Sequence, residues 1–292
     1  SIMVSIKLEN GKTKRVVFSA DLGNYDREFS PHGNPVTDPK MLIHAMFCET
    51  TYGGTLRDKN YYIDGLAQFV KDVERELSKG KTVIIPSFAM DRGQELLYHL
   101  KGIKNTKIYY DTKSGNLILP VYQQYNTIYK NAELKYIPIN CENRTEVYTN
   151  TSAKIIVTSS GMCNGGPVRE YLDHYLEDEN AVFMLTGHMS PNTIGGKLYH
   201  GSKVIYLKGE PKVVKAKIIT YDFFSAHADE RSLLRWIEGW KTNTKTQIVL
   251  NHGEIEGSTL AFKHTIERKQ KKGTTSIQGT PVIAMLNRSI KI

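Results

Sequence analysis

Hydrophobic and polar positions alternate at the start of the chain. Ile2, Val4, Ile6 and Leu8 are separated by other residues, which is the two-residue period of a strand. Asn10-Gly11 is a hairpin turn signal, and Val16, Val17 and Phe18 read as the returning strand. A turn, Ser19-Ala20-Asp21-Leu22-Gly23, follows at that strand's end, and residues 24–40 are polar and loop-like. An apolar run over 41–48 predicts a buried strand ending in Glu49. The period then changes. Leu66, Phe69, Val70, Val73 and Leu77 fall on one face of a helix over 64–79. Residues 81–86 read as a strand, Asp91 to Gln94 as a capping box opening a helix to about residue 100, 107–110 as a strand, and 117–129 as a Tyr-rich helix. After an irregular stretch over 131–153, a strand over 154–158 leads through a Gly-rich loop to Pro167, which suits the first position of a helix. Strands at 181–186, 203–207, 247–250 and 281–286 and helices at 229–240 and 258–272 complete the pattern. This alternation predicts an α/β protein with mainly parallel strand pairing.

Composition narrows the picture. Apolar residues are 40% and charged residues 24% of 292, enough for a sizeable core and against widespread disorder. No apolar run approaches the roughly 20 residues that span a bilayer, so no membrane partner is expected. Cys48, Cys141 and Cys163 are too few and too scattered for a disulfide framework, and they suit a reducing, cytoplasmic setting. The net charge of +9 fits a polyanionic partner such as nucleic acid, although a basic enzyme of another kind has the same sum.

Four candidate groups sit where a strand has just ended: Asp21, Glu49, His227 and His252. Functional side chains collect at such ends in α/β sheets. Each has a plain structural reading as a turn former, loop carboxylate, helix cap or loop imidazole. Together, carboxylate and imidazole form the ligand set of zinc or a similar divalent ion, which lowers the pKa of bound water to about 7. The loop from Ser159 through Ser160, Gly161 and Met162 to Gly166 joins a strand to a helix start, where free amides and the helix dipole attract phosphate. It lacks the Gly-Lys-Ser/Thr of a Walker A loop. An ordinary strand–helix turn is the plain reading of the same loop. A second Gly-rich stretch, Thr186-Gly187-His188 and later Gly195-Gly196-Lys197, offers another phosphate contact. The basic run Lys263, Arg268, Lys269, Lys271 and Lys272 reads as the solvated face and end of a helix.

Read together, these stretches resemble the β-CASP branch of the metallo-β-lactamase superfamily, nucleases of RNA processing that include the mRNA 3′-end cleavage endonuclease and RNase J. The resemblance rests on several segments in the family's order: Val17-Phe18-Ser19-Ala20-Asp21-Leu22-Gly23, Phe47-Cys48-Glu49-Thr50-Thr51-Tyr52-Gly53-Gly54, Pro86-Ser87-Phe88-Ala89-Met90-Asp91-Arg92-Gly93-Gln94-Glu95, Ser159-Ser160-Gly161-Met162, Phe224-Ser225-Ala226-His227-Ala228-Asp229 and Asn251-His252-Gly253-Glu254. It implies the C-terminal part of a metallo-β-lactamase αββα domain, residues 1–60 and 217–292, with an inserted α/β β-CASP domain, residues 61–216. It also implies a zinc-dependent ribonuclease. Asp21 would bridge two zinc ions, His252 would bind one, and His227, held by Glu49, would serve the leaving group. Ser159, Ser160, Gly161, Met162 and Lys197 would contact RNA phosphates. Single-stranded RNA is the implied partner, and a homodimer is compatible with the resemblance. A histidine at the position of His252 goes with RNA rather than DNA substrates.

The sequence departs from the family at three positions. Ala20 and Asp91 stand where many members have glycine, and His188 where many have an aromatic. The family's His-x-His-x-Asp-His run is absent from these 292 residues. The expectation is an amino-terminally incomplete chain in which the two zinc ions are partly held or missing, inactive by itself. The other readings are a non-catalytic scaffold of an RNA-processing complex and a DNA nuclease.

Overall fold

In the computed structural model, residues 1–23, 37–57, 59–126, 128–187, 189–285 and 289 are described. Most of the polar loop read over 24–40 and His188 lie outside them. The described chain is mixed α/β and divides into two compact units, residues 1–59 with 226–292, and residues 60–225. None of its helices is long and apolar enough to cross a membrane.

The first unit holds β1 (Ile2–Lys7), β2 (Thr13–Phe18), β3 (Ala45–Glu49), α7 (Glu230–Glu238), β12 (Gln247–Asn251), a π-helical turn (Ile255–Thr259), α8 (Leu260–Lys272) and β13 (Thr280–Ile283). The hairpin β1–β2 forms as its Asn-Gly turn predicts, with Ile2 opposite Phe18. The sheet order is β1-β2-β3-β12-β13, and β2, β3, β12 and β13 run parallel. Alternation places Val17, Met46, Cys48, Ile248 and Leu250 on one face. There they form a core with Leu233, Trp236 and Ile237 of α7 and Phe262 and Ile266 of α8. On the opposite face Phe18 and Phe47 stack with their centroids 4.8 Å apart.

The second unit runs α1 (Lys59–Ser78), β4 (Thr82–Pro86), α2 (Arg92–Leu100), β5 (Lys107–Asp111), α3 (Lys113–Tyr125), β6 (Ile137–Pro138), α4 (Thr145–Thr149), β7 (Lys154–Thr158), α5 (Val168–Tyr175), β8 (Ala181–Thr186), α6 (Ile194–Tyr199), β9 (Val204–Leu207), β10 (Glu210–Val213) and β11 (Lys217–Tyr221). Its six-stranded sheet, β11-β8-β4-β7-β5-β6, is parallel throughout, and β9 and β10 form a separate ribbon. The strands β4, β7 and β8 are buried along their whole length, as expected for a sheet covered on both faces. Ile84, Tyr109, Ile156 and Phe183 enter the core on one side, and Val83, Tyr110, Ile155 and Met184 that on the other.

Two sequence expectations are corrected here. The boundary expected between 216 and 217 falls between 225 and 226, because β11 pairs in parallel with β8 and completes the second unit's sheet. Asp91 precedes α2 without a side-chain capping bond, because its φ of 67° and ψ of −66° depart from the extended backbone of an ordinary N-cap. The helix is instead anchored by Arg92, which is buried. Arg92 pairs with Glu95 at 2.9 Å, donates to the Thr186 carbonyl at 3.1 Å and also meets the Phe224 carbonyl.

Candidate functional site

Parallel pairing decides where the candidate residues of the first unit meet. Because β2, β3 and β12 point the same way, the residues just beyond their carboxyl ends share one edge of the sheet. Asn251 is in register with Glu49, so His252 stands one residue past the carboxylate at the end of β3. Asp21 follows β2 by three residues. His227 arrives from elsewhere in the chain. A bridge between Gly23 and His227 and a 2.7 Å bond from the Ala228 amide to the Leu22 carbonyl hold its backbone to the Asp21 turn.

The next residue but one, Asp229, tightens this placement. Its carboxylate accepts from the Ser232 amide at 2.8 Å, capping α7, and from the Arg57 amide at 3.1 Å. The Arg57 guanidinium in turn lies 3.6 Å over the Tyr52 ring. The His252 backbone is left-handed, with φ 52°. Gly253 beside it admits no side chain: a Cβ there would come within 2.5 Å of the Thr50 hydroxyl and 2.6 Å of its carbonyl. The His-Gly pair is thus a geometric unit that turns the imidazole out at the strand end.

Asp21, His227 and His252 each present a ligand-capable atom within 4.8 Å of the others. Of these, Asp21 and His252 supply a carboxylate and an imidazole of the kind that zinc takes, and His227 stands beside them. The pair therefore fits the metal expected from the sequence. Glu49 is not available as a further donor. It is buried, and its two oxygens accept from the Leu22 amide at 2.6 Å, the Thr51 hydroxyl at 2.6 Å and His227 Nδ1 at 2.9 and 3.1 Å. With Nδ1 committed to Glu49, Nε2 is the His227 atom left to act. Burial pulls the His227 pKa down. The hydrogen bond and charge of Glu49, with the charge of Asp21, outweigh that and hold it above the ordinary histidine value.

Sequence reasoning missed Thr51. Its hydroxyl donates to Glu49 and lies 3.3 Å from His227 Nδ1, 3.2 Å from His252 Nδ1 and 3.0 Å from the His252 carbonyl. It touches every member of the cluster except Asp21, yet a threonine after a strand carries no signal of that position. Ser19 was likewise unmarked; its hydroxyl accepts from the Glu49 amide at 3.0 Å.

The phosphate-contact candidates lie in the second unit. The loop 159–166 follows β7 and is pinned by bonds from the Ser160 amide to the Gly165 carbonyl and from the Val168 amide to the Ser159 carbonyl. Helix α6 starts against it, with the Gly195 amide on the Met162 carbonyl at 3.0 Å and the Ile194 amide on the Asn164 side chain at 2.9 Å. Gly161 is buried, and the amides of Gly161 and Met162 meet no acceptor among the described residues. Lys197 is exposed on α6. The structure thus joins the two Gly-rich stretches that the sequence marked separately.

The chain matches the Beta-Casp domain over residues 93–198 and the Zn-dependent metallo-hydrolase RNA specificity domain over 212–277. It is 28% identical to ribonuclease TTHA0252 of Thermus thermophilus over 279 residues, 87% of this chain and 62% of that protein. To the RNase J-like protein of Methanocaldococcus jannaschii it is 30% identical over 288 residues, 91% of this chain and 65% of the relative. Transcription termination factor FttA of the same organism is 28% identical over 264 residues, 80% of this chain and 40% of that protein. The chain spans less than two thirds of the length of these curated relatives.

Proposed function

Because the chain belongs to the β-CASP family of the metallo-β-lactamase superfamily, we propose that it serves metal-dependent hydrolysis of RNA phosphodiester bonds. The observation that carries this reading is the convergence of Asp21, His227 and His252 from three separated segments, with Glu49 gripping one imidazole. A scaffold without catalysis has no use for a buried carboxylate spent on orienting a histidine.

In this proposal Asp21 and His252 would hold zinc. When bound, the metal supplies Lewis-acid polarisation of the phosphodiester and of the attacking water. Glu49 accepts a hydrogen bond from His227 Nδ1–H and fixes the ring. The raised pKa increases the share of imidazolium at neutral pH, so Nε2–H can protonate the departing oxygen as its bond to phosphorus breaks. The loop 159–166, with Lys197, holds RNA phosphate on its unpartnered amides.

The test pairs zinc titration of the chain with its cleavage of RNA. Asp21→Ala and His252→Ala are expected to lose zinc as well as cleavage. His227→Ala is expected to keep most of the zinc and to cleave roughly 10²–10⁴-fold more slowly, the usual worth of general acid–base help. Cleavage by His227→Ala at the parental rate would make His227 a structural residue.

A further inference from the structure

Phe88 is an exposed aromatic of the second unit that lies against the Gly-rich loop. It follows β4 by two residues and is 47% exposed. An exposed ring on a loose loop would mean little, but this loop is tied down on every side. The Ser87 amide donates to the Thr158 carbonyl at 2.8 Å, the Gly93 amide to the Phe88 carbonyl at 3.1 Å, and the Gln94 side chain to the Ala89 carbonyl at 3.0 Å. The ring is therefore presented to solvent by a fixed backbone. Its Cδ2–Cε2 edge rests on Gly161, where an added Cβ would come within 3.1 Å of both atoms. One edge is seated on the Gly-rich loop while much of the ring stays open.

Holding a large apolar ring in water offsets part of the burial it could have had, and a protein core gains nothing from it. Beside it, Gly161 and Met162 carry amides with no acceptor among the described residues. Amides without an acceptor and an aromatic plate thus lie side by side. In a nucleotide, phosphate and base are likewise joined through a single sugar. Aromatic rings next to backbone-binding grooves are the general device for holding single-stranded nucleic acid, because every base has a π-face.

We infer that Phe88 is a stacking platform for a nucleobase of the single-stranded RNA whose phosphate lies on loop 159–166. This rests on the proposed reading of that loop as a phosphate site. Stacking on a lone phenylalanine selects for the presence of a base and not for its identity, so the contact adds affinity without a sequence code.

The experiment measures binding of the 292-residue chain to fluorescein-labelled oligouridylate and to an abasic ribose-phosphate strand of equal length, at low salt. Phe88→Ala is expected to weaken oligouridylate binding by about 5- to 100-fold, the worth of one base stack, and to leave binding of the abasic strand unchanged. Phe88→Trp is expected to restore oligouridylate binding, and Phe88→Leu, apolar but without a π-face, to fail. Thermal unfolding of each variant confirms an intact fold. Equal oligouridylate binding by the parent and Phe88→Ala overturns the stacking role and leaves the phosphate reading standing. Equal losses on both strands make Phe88 a structural prop of the loop. Absence of binding to either strand by the parent chain overturns both readings.

Discussion

The two sheets are built on one plan and finished differently. Each is largely parallel, and each gathers its candidate chemistry beyond the carboxyl ends of its strands. The six-stranded sheet is clothed on both faces, and β4, β7 and β8 are buried throughout. The five-stranded sheet carries its core on one face, under α7 and α8. On the other face Phe18 remains 37% exposed although it stacks on Phe47, and all of β1 is exposed. The better-clothed sheet presents backbone amides, whereas the half-clothed one presents titratable side chains. Burial and candidate chemistry are therefore distributed unequally along the same chain.

The largest expected effect breaks the comparison at its strong side. Phe183→Ala in the second unit should cost about 3–5 kcal/mol, the range for a fully buried phenylalanine. Phe18→Ala should cost only about 1 kcal/mol, a partial burial plus one ring stack. Both tryptophans, Trp236 and Trp240, belong to the first unit, so tryptophan fluorescence follows that unit during unfolding and hydrogen exchange follows the other. Similar costs at the two positions would mean that the exposed face of the five-stranded sheet is covered in solution.

Acid should separate the units next. Burial pushes the Glu76 carboxyl up, but the Lys217 ammonium at 2.6 Å, with Arg75 and Lys79, outweighs it and holds its pKa at about 2. Two carboxyls held below their usual range, Glu76 and Asp173, both lie in residues 60–225. A depressed carboxylate stabilises the fold above its unfolded pKa, and that contribution is lost as pH falls towards the folded one. The second unit should thus lose on the order of 2–3 kcal/mol between pH about 4.5 and about 2 from Glu76. Lys217→Met should remove much of this dependence, as read from hydrogen exchange across that range.

The smallest effect sharpens the comparison at the site. Ala20 has φ 51°, a conformation that disfavours any side chain. Ala20→Gly should raise the stability of the first unit by about 1 kcal/mol, seen as a higher denaturant midpoint in tryptophan fluorescence. An unchanged or lowered midpoint would show that the Ala20 methyl makes compensating contacts.

That position also marks the border between what was legible in the sequence and what was not. Hydrophobic periodicity settled the α/β class, most strands and the long helices, because burial of one face leaves a period of 2 or 3.6 in the order of residues. Strand ends, which are local features, also marked Asp21, Glu49 and His252; His227 was expected at a strand end too, but residues 222–226 separate it from β11. The glycine preference at 20 and 91 was visible as a family departure, but its cause, a positive φ at both residues, needed the backbone. Assignment of β11 to the second sheet, the approach of α6 to loop 159–166 and the bridging place of Thr51 needed the tertiary structure altogether. Each of these depends on contacts between segments far apart in the chain, and neither pairing partners nor hydroxyl directions are written in local composition. The sequence thus determined which elements form and which residues could do chemistry. The tertiary structure decided which of them meet, because parallel pairing brings separate strand ends to one edge only once the sheet has closed.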